Sequence, residues 1–228
     1  MAELPTPVKT VLRVVAAIAI CLAVLFIPAG TVAWPEAWAL LAFYLGFVVP
    51  LLFWMKKRDP DLYRERSAKR KEGKPWDKIL VSLYSVFLLL MIVAAGLDAV
   101  RFHLSRMPLA VKLIGFAGLL PIPALYVSIF KANTFASDVV RIQKDRGHRV
   151  VRSGPYRIVR HPMYAAVCFL VICIPLALGS WFALIFSGLI IMVFIIRTYL
   201  EDKMLQRELP GYAEYAGETR FRLVPGIW

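Results

Sequence analysis

The amino-acid sequence predicts an all-α, polytopic membrane protein of about six helices. Three observations favour this fold class: the hydrophobic content is 60%, only 19% of the 228 residues are charged, and the apolar residues form long runs separated by basic loops. A soluble domain of this length has too little interior volume to bury so much apolar surface. We therefore expect much of that surface to face lipid.

The apolar runs set the positions of the predicted helices. A helix needs about 20 residues to cross the hydrocarbon core, and the first four runs are long enough. The last two runs are shorter and are separated only by Gly179 and Ser180, which predicts a tight helical hairpin whose first arm is kinked by Pro175. The six runs are 11–30, 37–55, 79–100, 109–130, 162–178 and 181–199.

The first apolar run follows Lys9 and Arg13 and so resembles a signal peptide. No small-residue cleavage site precedes a soluble region, and further apolar runs follow. We therefore expect an uncleaved first helix.

The distribution of Lys and Arg predicts the orientation of the helices. The connections at 31–36 and 179–180 contain none of these residues, and the connection at 101–112 contains three. With six spans, the three basic segments lie on the same side as the N-terminus, and basic loops are usually cytoplasmic. The sequence thus predicts an integral membrane protein with cytoplasmic termini and a cytoplasmic active site. The basic segments are 56–78 with ten Lys and Arg, 131–160 with eight, and 197–228 with five.

The same pattern divides the chain into two regions. Residues 1–130 are predicted to form four N-terminal membrane helices. Residues 131–228 are predicted to form a second region, which contains the candidate chemistry described below and consists of a cytoplasmic insertion, the helical hairpin and a tail with a short interfacial amphipathic helix and an extended end.

Composition also restricts the partners of the protein. The net charge of +13 is concentrated in loops between apolar runs, which favours contact with lipid headgroups over nucleic acid. Cys21, Cys168 and Cys173 all lie in apolar runs without metal-ligand spacing, so we expect neither a metal site nor a disulfide. Known nucleotide-binding, zinc-protease and serine-hydrolase motifs are absent.

Candidate chemistry lies at the open end of the predicted hairpin. Tyr164 and His161 precede Ser180 by 16 and 19 residues, and Arg197 and Glu201 follow it by 17 and 21. At about 1.5 Å rise per residue, these four side chains lie within roughly 8 Å of one another in depth. Polar side chains at membrane depth are costly, so this grouping indicates a functional site.

The start of the hairpin also predicts an anion site. Pro162 favours the first position of a helix, which places His161 at the N-cap beside free N–H groups and the positive end of the helix dipole. A purely structural alternative is that Arg197 and Glu201 form an ordinary i,i+4 pair, that His161 is interfacial, and that the tyrosines belong to an aromatic belt.

Two stretches carry a resemblance to a known family. His148-Arg-Val-Val-Arg-Ser-Gly-Pro-Tyr156 and Arg160-His-Pro-Met-Tyr164 resemble the H-x-L-V-x-x-G-x-Y…R-H-P-x-Y pattern of the isoprenylcysteine carboxyl methyltransferase family, which membrane phospholipid N-methyltransferases partly share. Arg197-x-x-x-Glu201 and the closing Pro-Gly-Tyr…Tyr…Pro-x-x-Trp pattern also match. The resemblance is close over roughly 130–228 and extends to the first four helices only in hydropathy.

This resemblance implies methyl transfer from S-adenosylmethionine to a lipophilic acceptor reached from the bilayer. Arg197 and Glu201 would be the catalytic residues, with Arg197 holding an acceptor carboxylate through a contact that could be bidentate, and Glu201 anchoring the cofactor. The implied acceptor is a prenylcysteine-like carboxylate. The cofactor-binding residues implied by the pattern are Gln143, His148, Val150, Gly154, Tyr156, Arg160, His161, Pro162, Tyr164 and Glu201.

Other functions are compatible with the same sequence. The acceptor could be a phospholipid or a small thiol. The protein could also be an NADPH-dependent membrane reductase, whose C-terminal helices look similar, or a non-catalytic lipid-binding subunit. Binding of S-adenosylmethionine distinguishes the first group from the other two.

Overall fold

The computed structural model describes residues 6–67 and 73–228 and is helical, with no strand in these two ranges. The predicted all-α membrane fold is confirmed. Short 3₁₀ turns cover Lys144–Arg146 and Gly154–Arg157. The α-helices are α1 (Thr6–Ala29), α2 (Pro35–Arg58), α3 (Pro60–Ser67), α4 (Pro75–Gly96), α5 (Leu109–Leu119), α6 (Ile122–Ala132), α7 (Pro162–Leu178), α8 (Ala183–Glu208) and α9 (Tyr212–Glu218).

Four helical segments are long and apolar enough to cross a membrane by themselves: Pro35–Arg58, Pro75–Arg101, Leu109–Ala132 and Ala183–Glu208. The apolar helix Pro162–Leu178 is shorter, and α1 is apolar over Val15–Ala29, the part of it whose side chains the structure describes. All six predicted apolar runs are therefore helical, and four of them meet the length and composition of a membrane span.

The fourth predicted run is not one straight helix. It divides into α5 and α6 at Pro121, and Pro123 follows in the first turn of α6. Proline lacks the N–H that would continue the hydrogen-bond ladder, and its ring clashes with the preceding turn. The basic loop 56–78 also contains helix α3, which hydropathy does not reveal because its residues are mostly polar.

The predicted hairpin is present, with its turn at residues 179–182 between α7 and α8. Gly179 adopts φ 83°, a left-handed conformation that costs glycine little, and the N–H groups of Gly179 and Ser180 both donate to the carbonyl of Pro175. Helix α7 continues through Pro175 to Leu178. Helix α8 extends nine residues beyond the apolar run. Arg197 and Glu201 therefore lie on one continuous helix.

Close packing of α5 on α7 fixes the position of the hairpin. A Cβ atom built on Gly115 would lie 2.4 Å from the backbone nitrogen of Ala177, and one on Gly118 would lie 2.5 Å from Sγ of Cys173. Only glycine allows the two helix backbones to approach this closely. The hairpin is thus held against the N-terminal half of the bundle.

The chain after α8 folds back over the start of α7. Tyr212 and Tyr215 of α9 are buried rather than lying on a membrane surface. The N–H of Arg160 donates to the carbonyl of Phe221 at 2.9 Å, and the N–H of His161 donates to that of Arg222 at 3.0 Å. The tail therefore packs against the hairpin instead of forming the extended end expected from its sequence.

Candidate active site

A cavity of about 740 Å³, counting its open mouth, lies where the insertion 133–160 meets the start of α7, the last turns of α8 and α9. Nine of the eleven residues proposed from the sequence line it: Gln143, His148, Val150, Tyr156, Arg160, His161, Pro162, Tyr164 and Glu201.

The four residues predicted to share one depth are in mutual contact. The hydroxyl of Tyr164 donates a hydrogen bond to Oε2 of Glu201. The guanidinium carbon of Arg197 lies 4.9 Å from the centroid of the Tyr164 ring, within the range of a cation–π contact. The His161 ring stacks on the Tyr164 ring, with the two centroids 5.6 Å apart and the ring planes nearly parallel. The predicted juxtaposition is therefore present.

Arg197 has protein partners that the sequence does not predict. Its Nε donates to Oδ1 of Asp77 at 2.7 Å, and its Nη2 donates to the carbonyl of Asp138 at 2.7 Å. Arg197 lies behind Tyr164 and is not part of the cavity wall. These two bonds leave Nη1 and the second N–H of Nη2 for the contact expected with an acceptor carboxylate.

The free N–H groups expected beside His161 are only partly present. The N–H of His161 itself is bonded to the tail, and the side chain has no capping hydrogen bond. Its Nε2 lies 3.4 Å from Oδ1 of Asp202 and 3.4 Å from the hydroxyl of Tyr212. These contacts orient the imidazole toward the buried Asp202 rather than leaving it open to an anion.

Arg160 lines the cavity, but its guanidinium is used to hold the tail. It donates to the carbonyls of Ala216 and Thr219 at 3.0 and 3.1 Å and forms a buried ion pair with Asp202. The expected direct role of its side chain in cofactor binding is therefore not supported by the geometry.

Asp202 is the centre of this buried network, and sequence reasoning missed its importance. Besides Arg160, its carboxylate accepts hydrogen bonds from Arg222, Tyr212 and Gln206 at 3.0, 3.0 and 2.9 Å. The only sequence signal is an acidic residue at the end of an apolar helix, which does not identify partners in a distant tail.

Gln143 and His148 are joined within the insertion. Gln143 donates from Nε2 to the carbonyl of Phe135 at 2.8 Å and accepts from Arg146, and its N–H contacts Nδ1 of His148 at 3.4 Å. Burial, followed by the nearby Arg146 and Arg141 charges, lowers the pKa of His148 from 6.5 to about 4. A neutral imidazole at neutral pH suits a cavity for a cationic ligand.

Tyr156 is buried and also lines the cavity. Its hydroxyl accepts a hydrogen bond from Nδ2 of Asn133 at 2.9 Å, and its carbonyl accepts one from the hydroxyl of Tyr215 at 2.7 Å. Burial raises the pKa of Tyr156 above its usual value, so the phenol stays protonated.

Gly154 does not line the cavity, contrary to expectation. It adopts φ 58°, and a Cβ there would lie 3.2 Å from Cβ of Ala132 in α6. The glycine is required by the turn and by its close packing on α6, so its place in the motif has a structural reason.

Within the described ranges, the cavity offers one cation and one carboxylate oxygen without a charged or hydrogen-bonding protein partner. Arg141 pairs with Glu65 and Asp145, and Arg160 pairs with Asp202, whereas Arg149 has no such carboxylate. Oε1 of Glu201 has no hydrogen-bond donor, since Tyr164 binds Oε2. The described residues contain no cluster of three or more metal-ligating side chains.

Comparison with known proteins gives one family match. Residues 114–207, from the middle of α5 almost to the end of α8, match the model of the isoprenylcysteine carboxyl methyltransferase family. The match contains the insertion, the hairpin and most of the cavity residues. A search of curated proteins gives no match. Residues 114–207 are therefore similar to the isoprenylcysteine carboxyl methyltransferase family, and this match together with the apolar helices supports a membrane methyltransferase.

Proposed function

We propose that the protein transfers a methyl group from S-adenosylmethionine to a lipophilic acceptor, the carboxylate of a prenylcysteine-like molecule. One observation carries the proposal: within the family-matched segment, Glu201 and Tyr164 are hydrogen bonded in the cavity wall and Arg197 lies directly behind them. The Glu201 carboxylate in the cavity wall thus suits a cationic cofactor, and the Arg197 guanidinium lies close to it.

The charges in the cavity fit this cofactor. S-adenosylmethionine supplies a methyl group already activated on a sulfonium, and its methionyl part carries an ammonium and a carboxylate. Glu201 would hold the ammonium through Oε1 and Arg149 would hold the carboxylate, because neither Oε1 nor the Arg149 guanidinium has a hydrogen bond or ion pair among the described residues. Phe135 and Tyr156 in the cavity wall would pack against the adenine.

The acceptor chemistry asks little of the protein beyond alignment. A carboxylate acceptor is already ionised at neutral pH, so no side chain has to remove a proton from it. Positioning two reactants for in-line attack is worth about 7–11 kcal/mol in the best cases. Arg197 would supply this orientation through Nη1, the nitrogen that bonds neither Asp77 nor Asp138.

We also infer that the cavity and both termini face the cytoplasm, because the three basic segments lie on one side of the predicted spans. A variant lacking Cys21, Cys168 and Cys173 provides the background for labelling. A cysteine at exposed Arg157 should react with an impermeant thiol reagent only in inverted vesicles, and one at exposed Val32 only in right-side-out vesicles. The reverse pattern would overturn the orientation.

The proposed activity is tested first by binding and transfer. Purified protein in detergent is titrated with S-adenosylmethionine, and transfer of a radiolabelled methyl group is measured with a prenylcysteine, a phospholipid and a small thiol. Saturable binding and transfer to the prenylcysteine support the proposal. Transfer only to phospholipid or thiol changes the acceptor, whereas thermal stabilisation by NADPH and not by S-adenosylmethionine indicates a reductase. Binding of neither cofactor supports a non-catalytic subunit.

The role of Arg197 is tested by Arg197→Lys. Lysine keeps a positive charge beside buried Asp77 but lacks the guanidinium fork, so turnover should fall at least about 100-fold while cofactor affinity stays within about threefold. Arg207→Lys makes the same change at an exposed position of α8 and should leave both values unchanged. Full turnover by the Arg197 variant would contradict the orienting role.

A further inference from the structure

The polar residue that holds Arg197 lies outside the family-matched segment. Asp77 is in the first turn of α4 and is 0% exposed. Its Oδ1 accepts from Nε of Arg197 at 2.7 Å, and its Oδ2 accepts from the N–H of Val140 at 2.8 Å. One carboxylate therefore connects the N-terminal helices, the insertion and the hairpin.

The contacts around Asp77 leave Arg197 little freedom. Nη2 of Arg197 is bonded to the carbonyl of Asp138, two residues before Val140, and the guanidinium stacks on Tyr164. Lys74, just before α4, donates its N–H to the carbonyl of Val140 at 3.3 Å, so the same short segment is fixed from both sides. Among the described residues, Nη1 is the nitrogen of Arg197 left without a protein acceptor.

We propose that Asp77 is a positioning residue, which fixes the guanidinium of Arg197 so that Nη1, the nitrogen without a protein acceptor, is held ready for the methyl acceptor. The inference rests on the proposed function and deepens it. It states that the acceptor is held through Nη1 of a guanidinium whose charge Asp77 already balances. Acceptor orientation, rather than attraction of an anion, is then the contribution of Arg197.

The position of Asp77 favours this role over simple packing. A buried carboxylate needs charge and hydrogen-bond partners, and Asp77 uses both oxygens, one on Arg197 and one on the segment beside it. An asparagine at this position could accept only one of the two hydrogen bonds, because its amide nitrogen would face the other donor. Asparagine therefore cannot keep both the hydrogen bond from Arg197 and the hydrogen bond from Val140.

The test separates orientation from folding. Asp77→Asn is assayed for methyl transfer, with kcat expressed per cofactor-binding site. We expect kcat per site to fall about 10- to 100-fold, the acceptor KM to stay the same or decrease, and cofactor affinity to stay within about threefold. The acceptor KM should not rise, because a guanidinium whose charge is no longer balanced still attracts the acceptor carboxylate. A purely structural role would lower the number of sites and leave kcat per site unchanged.

Asp98→Asn is the matched control. Asp98 is also buried, 3% exposed, and accepts from Ser105 and Ser180 at the other end of the hairpin. This change should lower the melting temperature without changing kcat per site. A kcat for Asp77→Asn within twofold of the wild type, or a loss of cofactor affinity as large as the loss of kcat, would overturn the proposal.

A stability measurement distinguishes failure of this inference from failure of the proposed function. Melting temperatures are measured for Asp77→Asn, Arg197→Gln and the double variant. If the wild type transfers no methyl group, the proposed function fails. The contact between Asp77 and Arg197 is then tested only by comparing the two single variants with the double variant. A double variant less destabilised than the sum of the single variants supports the link between Asp77 and Arg197, whereas additive losses overturn it.

Discussion

Tyr164, in the first turn of α7, donates a hydrogen bond to Glu201, 37 residues later in α8. This bond fixes one carboxylate oxygen of Glu201 and leaves the other toward the cavity. The two arms of the hairpin thus meet at a pair of side chains that also belongs to the proposed cofactor site.

Removing this hydroxyl should weaken cofactor binding. In Tyr164→Phe the ring keeps its contacts with His161 and Arg197, but Glu201 loses its hydrogen bond. A hydrogen bond to an ionised group is worth about 1.5–3 kcal/mol, so affinity for S-adenosylmethionine should fall about 10- to 100-fold in a titration. Tyr199→Phe removes a hydroxyl from a half-exposed position of α8 and should have no effect. Equal affinities for the two variants would contradict the role of Tyr164.

The buried network of Asp202 should control attachment of the tail. Asp202→Ala leaves Arg160 buried without its carboxylate, which costs about 3–5 kcal/mol and should release residues 212–228. Limited trypsin digestion with mass spectrometry should show faster cleavage after Arg220 and Arg222.

Arg152→Gln provides the control for tail release. It breaks the exposed ion pairs of Arg152 with Glu214 and Glu218, which connect the same two parts of the chain. Exposed pairs contribute little, so the digestion pattern should match the wild type. Cleavage of this variant at the rate of the Asp202 variant would show that the buried network is not what holds the tail.

The glycine contact between α5 and α7 should be sensitive to one methyl group. In Gly115→Ala the new Cβ meets the backbone of Ala177, which must move, and overpacking of this kind costs about 1–3 kcal/mol. Thermal unfolding in detergent should show a lower melting temperature. Gly188→Ala makes the same change in α8 where no atom lies within 4 Å, and it should be tolerated. Equal stabilities would show that the two helices can separate freely.

The low pKa of His148, about 4, predicts a loss of stability in mild acid. Above pH 6.5 the imidazole is neutral in both states. As the pH falls from 6.5 to 4, the unfolded chain binds a proton that the folded chain excludes, so the folded state is destabilised. The effect is on the order of 1 kcal/mol for this half-buried group, about 2–4 °C in melting temperature. His148→Gln should lose less stability than the wild type over this range. Parallel pH curves would contradict the burial of a neutral imidazole.

Sequence reasoning predicted the hairpin and its grouped polar residues because both depend on regular geometry along one helix. Residue counts from Ser180 give the depth of Tyr164 and Arg197 without any knowledge of neighbouring helices. The partner Asp77 could not be predicted in this way, since it lies 120 residues from Arg197 and the contact depends on how α4 packs on α8.

Differences between the predicted contacts and the structure have similar physical causes. Gly154 matches a binding motif, but it is needed for a left-handed turn against α6. Arg160 has the charge of an anion ligand, but Asp202 and the tail carbonyls use that charge. In both cases the residue type indicated a possible role, but the sequence did not identify the partner. The partner lies in another helix, and the contact depends on how that helix packs.

The shortness of the hairpin arms has a consequence for the surrounding lipid. Helix α7 has 17 residues and rises about 26 Å, whereas the hydrocarbon core is about 30 Å thick. The apolar part of α8 before Arg197 is similarly short. Such mismatch is relieved when the bilayer thins locally. Vesicles made from lipids with shorter acyl chains should therefore suit this hairpin better than thick, sterol-rich bilayers.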